Sequence, residues 1–296
     1  MLDNAYSFND GCAVALGSFD GLHLGHRSLI AEAVASKCDG LFAVALTFSA
    51  PPKRASRIIT PARKEYLLRS LGIDTVFELD FASVRRMSPE EFFNEILIGS
   101  LNARKIVCGE DYRFGAAAAG DTELLEKLCL EAGVELCVCK TVTAQNGEKI
   151  SSSLIRDLIR RGRVDEATEF LGLPFCLDGE VTEGKGLGHS LGFPTVNQKI
   201  GDGMILPKDG VYATRIFVGG KTYAAVTNVG RQPTVDGSSR TVETHIIGYE
   251  GDLYGWMISV EFVKRLRGVR KFPSVEALTQ AIGEDAKAAK ELVKVE

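Results

Sequence analysis

The first half of the chain alternates short, continuous apolar runs with segments in which apolar residues recur every three or four positions. Short apolar runs are typical of strands buried on both faces, and the longer repeat is typical of amphipathic helices. The runs that predict strands are GCAVALG (11–17), LFAVALTF (41–48), TVFELDF (75–81), RKIVCG (104–109) and VELCVCK (134–140). The segments that predict helices are HRSLIAEAVASK (26–37), TPARKEYLLRSLG (60–72), SPEEFFNEIL (88–97) and TELLEKLCLEAG (122–133). This order predicts a doubly wound α/β domain, a mostly parallel sheet with helices on both faces.

Residues that favour helix ends mark several of these helices. Thr60 is a candidate N-cap, Pro61 suits the first turn of the same helix, and Gly72 suits its end. Ser88 and Glu91 have the spacing of a capping box, in which each side chain bonds the other residue's backbone N–H. Two further helices are predicted after the last of these strands, SSLIRDLIRRG (152–162) and VDEATEFLG (164–172).

In the second half the pattern changes to β-branched, alternating segments broken by glycine. Gly219-Gly220 lies between two such segments and indicates a hairpin. The strand segments are GEVTEG (179–184), GVYATRIFVGGKTYAAVTNVG (210–230) and TVETHIIGYEGDLYGWMISVEFVKRL (241–266). They predict a small antiparallel barrel, followed by one C-terminal helix from about residue 274 to 293. We place the boundary near LGLPFCLDG (171–179) and expect two domains, 1–172 and 173–296.

Composition and charge narrow the function classes. A chain of 296 residues with 45% hydrophobic and 25% charged residues is typical of a globular protein of about two domains. The net charge of −4 gives no indication of general nucleic-acid binding. No apolar run of about 18 residues predicts a membrane span, and the polar start MLDNAYSFNDG (1–11) lacks a signal-peptide core. We therefore expect a cytoplasmic protein.

The seven cysteines are scattered, mostly among apolar residues. CVC (137–139) lacks the two-residue gap of a zinc knuckle. Reduced, buried thiols are therefore expected rather than disulfides.

Two of the four histidines, His23 and His26, lie three residues apart in a glycine-rich stretch after the first predicted strand. In a doubly wound sheet, ligands bind where strands end at the carboxyl edge. Two imidazoles at a helix N-terminus can donate hydrogen bonds to phosphate oxygens, and Gly25 lets a ligand approach the backbone. A metal site is one alternative, although no third histidine or cysteine lies nearby, and a hydrogen-bonded core histidine is another. The pair therefore favours phosphate chemistry.

Three motifs in the first domain resemble those of a known family. GSFDGLHLGH (17–26) resembles the H-x-G-H signature of the nucleotidyltransferase superfamily. ISSSLIR (150–156) resembles its I-S-S-T-x-I-R signature, and GEDYRFG (109–115) resembles the G-x-D-F-R-F-G segment of flavin adenylyltransferases. Their order and spacing are similar to those of the bacterial bifunctional riboflavin kinase/FMN adenylyltransferases. The resemblance covers nearly the whole chain.

This resemblance implies transfer of the adenylyl group of ATP to FMN. The terminal phosphate of FMN attacks the α-phosphate of ATP, pyrophosphate leaves, and FAD forms without a covalent enzyme intermediate. Catalysis of this kind works by positioning and by stabilising charge on phosphate oxygens. By the resemblance, His23 and His26 are catalytic and Asp111 binds the flavin. The implied ATP and pyrophosphate contacts come from Gly17, Phe19, Asp20, Ser152 and Arg156. The residues alone leave Ser152 open as a helix cap and Arg156 as part of an exposed helix face.

One departure from the family pattern concerns activity. The family has a Phe-x-Pro-His-Pro turn after the second strand, whereas this chain has Pro51 in place of the histidine. Because an imidazole donor is lost, we expect slower adenylyl transfer, or the use of Lys53 or Arg54 instead. Ser153 replaces a threonine of the second signature and keeps the hydroxyl. The alternative hypothesis is a riboflavin kinase whose N-terminal domain only binds nucleotide or flavin.

The start of the second domain carries a glycine-rich loop within GEVTEGKGLGHSLGFPTVN (179–197). Gly184, Gly186 and Gly188 suit a flexible loop that wraps ATP phosphates. Glycine-rich loops are common, so this pattern alone is weak evidence for phosphate binding.

The end of the same stretch is more specific. GFPTVN (192–197) resembles the P-T-A-N signature of riboflavin kinases, with Val196 in place of alanine. Thr195 and Asn197 are two residues apart, so their side chains point to one side of an extended chain. The resemblance implies that they bind Mg²⁺, which takes oxygen ligands. Apart from the resemblance, a turn in which both side chains bond local backbone groups is the alternative.

Glu243 lies in TVETHII (241–247), whose alternation predicts a strand. A carboxylate within an apolar strand is costly unless it has a partner or a role. By the resemblance, Glu243 is the base that accepts the proton of the ribityl hydroxyl of riboflavin, which attacks the γ-phosphate of ATP. TNVGRQPTV (227–235) also matches the family and implies that Asn228 and Arg231 bind the flavin.

Two smaller departures accompany this second match. His189 replaces an arginine after the glycine loop, and the turn RLRGVRKF (265–272) lacks its usual acidic residue. The resemblance implies a nucleotidyltransferase-like α/β domain followed by a riboflavin kinase-like barrel with a C-terminal helix. The implied substrates and products are riboflavin, FMN, FAD, ATP, ADP and pyrophosphate, with Mg²⁺ as cofactor. No nucleic-acid or membrane partner is expected, and the sequence does not predict an oligomeric state.

Overall fold

The structure is a computed structural model, and it describes residues 10–49, 55–183, 192–234 and 237–293. Its contacts divide the chain into two compact units. Unit 1 comprises Met1–Ala55 and Thr60–Ser152, and unit 2 comprises Ser56–Ile59 and Ser153–Glu296.

Unit 1 contains a parallel sheet with the strand order β3-β2-β1-β4-β5. The strands are β1 (Cys12–Leu16), β2 (Phe42–Phe48), β3 (Thr75–Leu79), β4 (Ala103–Gly109) and β5 (Glu135–Cys139). This is the doubly wound order, so the fold predicted for the first half is confirmed. Every residue of β1 is buried, as is typical of the central strand of a parallel sheet.

The helices of unit 1 follow the predicted signals. They are α1 (Leu24–Ala35), α2 (Pro61–Ser70), α3 (Phe81–Val84), α4 (Pro89–Glu91) and α5 (Thr122–Ala132), with 3₁₀ turns at Ser36–Asp39 and Ala116–Ala118. Thr60 caps α2 by accepting the N–H of Arg63 at 3.2 Å. Both hydrogen bonds of the capping box between Ser88 and Glu91 are present. These caps confirm the predicted starts of α2 and α4.

A π-helix, Phe92–Ser100, continues α4 where the sequence pattern predicts an ordinary α-helix. Its apolar side chains Phe92, Phe93, Ile96 and Leu97 lie in the core of unit 1. Because the same side chains face the core in either helix type, the spacing of apolar residues did not distinguish them.

Unit 2 is a closed antiparallel barrel with the strand order β10-β7-β6-β11-β8-β9. Its strands are β6 (Phe175–Thr182), β7 (Val196–Ile200), β8 (Gly210–Val218), β9 (Lys221–Thr234), β10 (Gly237–Ile246) and β11 (Met257–Arg267). Its helices are α6 (Ser152–Arg161, whose first residue belongs to unit 1), α7 (Val164–Leu171) and α8 (Val275–Leu292). Gly219 and Gly220 join β8 to β9 with φ of 59° and 79°, so the predicted hairpin, barrel and C-terminal helix are confirmed.

Two parts of the chain outside the sequence-defined barrel pack with it. The sequence changes character near residue 172, whereas the boundary between the two compact units lies between Ser152 and Ser153. The helix α7 therefore belongs to unit 2, where it packs against β6 and β11. The short segment Ser56–Ile59 also belongs to unit 2. Within it, the N–H of Arg57 donates to the carbonyl of Gly203 at 2.7 Å, and its carbonyl accepts from Ile205 at 2.8 Å.

None of the seven cysteines, all of which lie in the described part of the chain, forms a disulfide. Cys12, Cys108, Cys129 and Cys176 are buried as expected, whereas Cys38 is exposed. Burial raises the pKa of the Cys12 and Cys108 thiols to about 12, so both thiols stay protonated at neutral pH. Among the helices of the described ranges, none has the length and apolar character needed to cross a membrane.

Inside the barrel, three fully buried threonines form a chain of hydrogen-bonded hydroxyls. Thr227 is hydrogen-bonded to Thr214 at 2.8 Å and to Thr244 at 2.9 Å, which links β8, β9 and β10. A buried hydroxyl is stable only while it has a hydrogen-bond partner. Thr227 is therefore the hydrogen-bond partner on which both Thr214 and Thr244 depend.

We expect Thr227→Val to lower the free energy of unfolding of the barrel by about 1–3 kcal/mol, because two buried hydroxyls lose a partner. The triple variant, with valine also at Thr214 and Thr244, should be more stable than the single variant, since the two hydroxyls that lost their partner are then removed as well. Urea unfolding followed by the fluorescence of Trp256, the only tryptophan, measures this in unit 2. A triple variant less stable than Thr227→Val would contradict this account.

Candidate active sites

The loop 17–23 leaves the carboxyl end of β1 and leads into α1. Phe19 and Leu22 have positive φ, 49° and 46°, and Gly21 has a φ of 88°. Positive φ strains residues other than glycine and persists only where the surroundings hold it. Since β1 lies between β2 and β4, the loop lies at the edge where a doubly wound sheet binds its ligand.

Three side chains hold this loop by its carbonyl groups. Thr47 Oγ1 donates to the carbonyl of Ser18 at 3.0 Å, and Ser152 Oγ donates to that of Asp20 at 2.8 Å. Arg27 Nε donates to the carbonyl of Leu22 at 3.2 Å. The donors come from β2, α6 and α1, so alternate carbonyls of the strained loop are fixed from three directions.

His23 and His26 are brought together at the start of α1. His23 is the N-cap, and its Nδ1 accepts the N–H of His26 at 3.3 Å. An accepting nitrogen carries no proton, so a neutral His23 ring has its proton on Nε2. The two rings stack with centroids 3.7 Å apart. This stacked pair lies at a helix N-terminus, where backbone N–H groups and the helix dipole favour an anion.

The other predicted residues of this loop support the pair. Phe19 is fully buried, and its ring meets that of His26 edge-on with centroids 5.3 Å apart. A Cβ on Gly17 would approach the Phe19 ring to 3.0 Å, and one on Gly25 would approach the His23 ring to 3.2 Å. The glycines therefore leave room for these rings. The buried Phe19 side chain leaves only its backbone for a nucleotide, and Asp20 is buried as well.

Asp111 follows β4 at the same edge of the sheet. Its carboxylate is 73% exposed and forms an ion pair with Lys149 at 2.5 Å. An exposed carboxylate held by one lysine is accessible to a ligand, which agrees with the predicted placement of Asp111 at the ligand-binding end of its strand.

Arg156 belongs to unit 2 and is only 9% exposed, so the alternative that it lies on an exposed helix face is wrong. Its Nε donates to the carbonyl of Ser56 at 2.8 Å. Several predicted positions lie outside the described residues: Pro51, Lys53, Arg54, Gly184, Gly186, Gly188 and His189.

In unit 2, three predicted residues form a row across neighbouring strands. Glu243 on β10 pairs with Asn197 on β7 and with Asn228 on β9, and Asn228 pairs with Val211 on β8. Directly paired residues of antiparallel strands point to the same face. The interior Thr244 is the next residue along β10, so this row lies on the outer face of the barrel. A carboxylate thus lies between two amides on this face.

This outer face and α8 line a cavity of about 410 Å³, within the range of about 300–1,000 Å³ usual for small-molecule sites. Thr195, Asn228 and Glu243 contribute to its polar lining. Its remaining lining residues are Phe193, Val211, Val226, His245, Arg267, Val269, Arg270, Phe272, Leu278, Ile282 and Asp285. The cavity is therefore mainly apolar, with the polar row at one wall.

One wall of the cavity is held by an ion pair. Arg267 at the end of β11 contacts the carboxylate of Asp285 on α8, with the shortest N–O distance at 2.7 Å. Asp285 is buried, and the guanidinium of Arg267 lies 5.4 Å from the centre of the Phe272 ring. This pair ties α8 to the barrel beside the cavity.

His245 is a site residue that the sequence analysis did not assign. Its Nδ1 donates to the carbonyl of Pro194 at 2.8 Å, and its ring meets Phe193 edge-on at 5.4 Å. It therefore holds the segment that carries Thr195. The sequence did contain an indication that His245 lies at this site, because it is two residues from Glu243 and so shares its face of the strand.

Arg231, predicted to bind the flavin, does not line this cavity. It is 68% exposed and pairs with Asp209 at 3.5 Å, and its strand neighbour on β10 is Arg240. Asp209 also pairs with Arg240 at 2.6 Å. Arg231 is thus part of a separate charge cluster.

The donor set near Glu243 suits a hard cation. Thr195 and Asn197 offer a hydroxyl and an amide oxygen beside the carboxylate of Glu243, and oxygen ligands are those that Mg²⁺ prefers. Among the described residues there is no group of three or more histidine, cysteine or carboxylate side chains able to hold a metal ion.

Family models match the two halves of the chain in turn. The model described as FAD synthetase matches residues 6–154, and the model described as riboflavin kinase matches residues 171–293. A solved structure from Streptococcus pneumoniae, described as a macrolide-efflux protein, has a TM-score of 0.87 and 32% identity. That match covers 96% of this chain and 95% of the other.

Curated relatives match over nearly the full length. The bifunctional riboflavin kinase/FMN adenylyltransferase of Pseudomonas fluorescens is 31% identical over 98% of this chain and 96% of its own. The Escherichia coli K12 protein of that name is 31% identical over 95% of this chain and 93% of its own. The Bacillus subtilis protein of that name is 33% identical over 93% of this chain and 90% of its own. The two family models and these full-length relatives show that the chain belongs to the bifunctional riboflavin kinase/FMN adenylyltransferase family.

Proposed function

We propose that this chain, like the relatives of that name, phosphorylates riboflavin to FMN in unit 2 and adenylylates FMN to FAD in unit 1. The observation that carries the proposal is the position of Glu243 between Asn197 and Asn228, at the wall of a mainly apolar cavity. The stacked histidines at the N-terminus of α1 support the second activity.

In the kinase step, the terminal ribityl hydroxyl of riboflavin attacks the γ-phosphorus of ATP. An O–P bond forms, the bond to the bridging oxygen breaks, ADP leaves, and the hydroxyl proton passes to the Glu243 carboxylate. Thr241 Oγ1 donates to Glu243 Oε1 at 3.5 Å and helps to orient the carboxylate. The apolar walls of the cavity suit the flat flavin ring system.

The residues that would hold Mg²⁺ are Thr195 and Asn197. Bound there, the ion would spread the charge of the transferring phosphoryl group. His245 supports this arrangement, because its hydrogen bond to the Pro194 carbonyl restricts the backbone next to Thr195.

In the adenylyl step, an oxygen of the FMN phosphate attacks the α-phosphorus of ATP. One O–P bond forms, the bond between the α-phosphorus and the bridging oxygen breaks, and pyrophosphate leaves. The His23 and His26 rings and the N–H groups of α1 stabilise the charge on the phosphate oxygens. The assignment of Ser152 and Arg156 to the departing pyrophosphate and of Asp111 to the flavin rests on the family resemblance.

A second candidate is a riboflavin kinase whose first unit binds nucleotide or flavin without catalysis. It is favoured by Pro51, which removes an imidazole from the family turn. Loss of one phosphate donor typically lowers a rate by about two to three orders of magnitude, so slower transfer is the expected result. We further propose a cytoplasmic location, because reduced cysteines are typical of that compartment. We also propose that the chain acts without nucleic-acid or membrane partners, since its net charge of −4 gives no general attraction to polyanions.

We expect Glu243→Gln to lower the kcat for FMN formation by about 10²–10⁴-fold, since glutamine keeps the shape and removes the base. The KM for riboflavin should stay close to that of the parent. Initial rates of FMN production with riboflavin, ATP and Mg²⁺ measure both constants. Glu261→Gln is the matched control: it removes a carboxylate of the same barrel that pairs with Arg215, outside the cavity. A Glu243→Gln variant with the parental kcat would remove Glu243 from this role.

Asn197→Ala should raise the Mg²⁺ concentration needed for half-maximal kinase activity by about tenfold or more, the scale of other losses at metal sites. Lys199→Ala, on the same strand face two residues on, is the control and should leave the requirement unchanged. Titration of the kinase rate with Mg²⁺ at saturating riboflavin tests the assignment. Equal Mg²⁺ requirements in the two variants would contradict it.

We expect His26→Ala to lower FAD formation from FMN and ATP by at least about two to three orders of magnitude, while FMN formation continues. Glu243→Gln should show the reverse pattern, and a mixture of the two variants should again make FAD from riboflavin. Chromatographic separation of FMN and FAD over time gives both rates. A parent chain that makes FMN but no FAD would favour the second candidate, and recovery of FAD in Pro51→His would identify the cause.

A further inference from the structure

A buried lysine lies beneath the loop that carries the histidines. Lys64 on α2 has a side chain only 10% exposed, at the carboxyl end of β2. Its Nζ donates to Thr47 Oγ1 at 3.3 Å, to the carbonyl of Phe48 at 3.0 Å and to Glu78 Oε1 at 3.1 Å. An ammonium group has three N–H donors, so these acceptors use all of them.

This lysine determines the direction of the hydrogen bond made by Thr47. Because Nζ can only donate, Thr47 Oγ1 must accept from Lys64, and the hydroxyl proton is left for the carbonyl of Ser18 at 3.0 Å. Thr47 is fully buried, so solvent water cannot replace either hydrogen-bond partner of its hydroxyl. The hydrogen bonds therefore run in one direction, from Lys64 through Thr47 to Ser18.

Ser18 belongs to the strained loop 17–23. A loop with Phe19 and Leu22 at positive φ relaxes when the groups that hold it are lost. Movement of the loop would carry His23, its last residue, and the His26 ring that stacks on it. A displacement of about 1 Å can lower an enzymatic rate by about 10²-fold.

We propose that Lys64, acting through Thr47, is a positioning residue for adenylyl transfer: it holds the loop 17–23 in the conformation that aligns His23 and His26. This inference rests on the proposed adenylyltransferase function of unit 1. Lys64 itself does not contact substrate, since its three donors are committed within the protein.

A buried ion pair also contributes to stability, and removal of one partner of any such pair destabilises a protein. Unit 1 offers a matched control for this effect. Lys105 on β4 is 12% exposed and pairs with Glu32 at 2.8 Å and with Glu135 at 3.0 Å. Lys105 is likewise a largely buried, ion-paired lysine, but its partners are two carboxylates, and neither of them is among the side chains that hold the loop 17–23, whereas Lys64 bonds Thr47.

The experiment compares Lys64→Met, Thr47→Val, the double variant and Lys105→Met in the full-length protein. Steady-state FAD formation from FMN and ATP gives kcat and KM, and FMN formation from riboflavin in the same preparation is the internal control. Lys64→Met should lower the adenylyl kcat by about 10–100-fold, with the KM values and kinase rate close to those of the parent. Lys105→Met should lose comparable thermal stability and keep the adenylyl kcat.

The double variant tests the connection between Lys64 and Thr47. If the two residues act in series, the adenylyl kcat of the double variant should equal that of the less active single variant. If they act independently, the two fold-losses should multiply. Thr47→Val preserves the shape of the side chain, so it reports on the connection even where Lys64→Met folds poorly.

Three results would overturn the inference alone: a parental adenylyl kcat in Lys64→Met, equal losses in Lys64→Met and Lys105→Met, or multiplicative losses in the double variant. A parent protein that forms FMN but no FAD would instead overturn the adenylyltransferase function, and the inference with it.

Discussion

A backbone polar group that leaves water needs a hydrogen-bond partner, and this requirement shapes both sites. The loop 17–23 cannot continue the sheet, because Phe19 and Leu22 have positive φ. Its carbonyls accept instead from side chains of other elements. In unit 2 the sheet closes into a barrel, so every strand has a neighbour on both sides. The residues proposed for catalysis are thus held by backbone groups that are themselves fixed.

The two sites use different electrostatics because the two proposed reactions need different groups. Phosphoryl transfer from ATP to a hydroxyl requires a proton acceptor, and unit 2 provides Glu243 between two amides. Adenylyl transfer to a phosphate requires no base, because the attacking oxygen is already ionised. Unit 1 accordingly offers the stacked His23 and His26 and a helix N-terminus, all of which favour negative charge.

Much of the fold and part of each site could be predicted from the sequence, because their signals are local. Thr60 caps its helix as predicted, and Gly219-Gly220 forms the hairpin, since capping and positive φ depend on neighbouring residues. Glu243 and Asn228, two residues singled out by the family resemblance, line one cavity, and their roles stay predictions. Arg231 has an equally good motif match, yet it pairs with Asp209 away from the cavity. A motif gives residue types, whereas the direction of a side chain depends on its strand face.

The sequence by itself determined the succession of strands and helices along the chain, the two-part organisation and the motifs that indicate the family. These features depend on the spacing of apolar residues, on turn residues and on short motifs, all of which are local. Only the tertiary structure decided that Lys64 reaches Thr47 and Glu78, and that His245 bonds the carbonyl of Pro194. It also decided that Ser56–Ile59 packs with unit 2. These contacts join residues far apart in the chain. Their partners are set by how helices and strands pack, which no local pattern records.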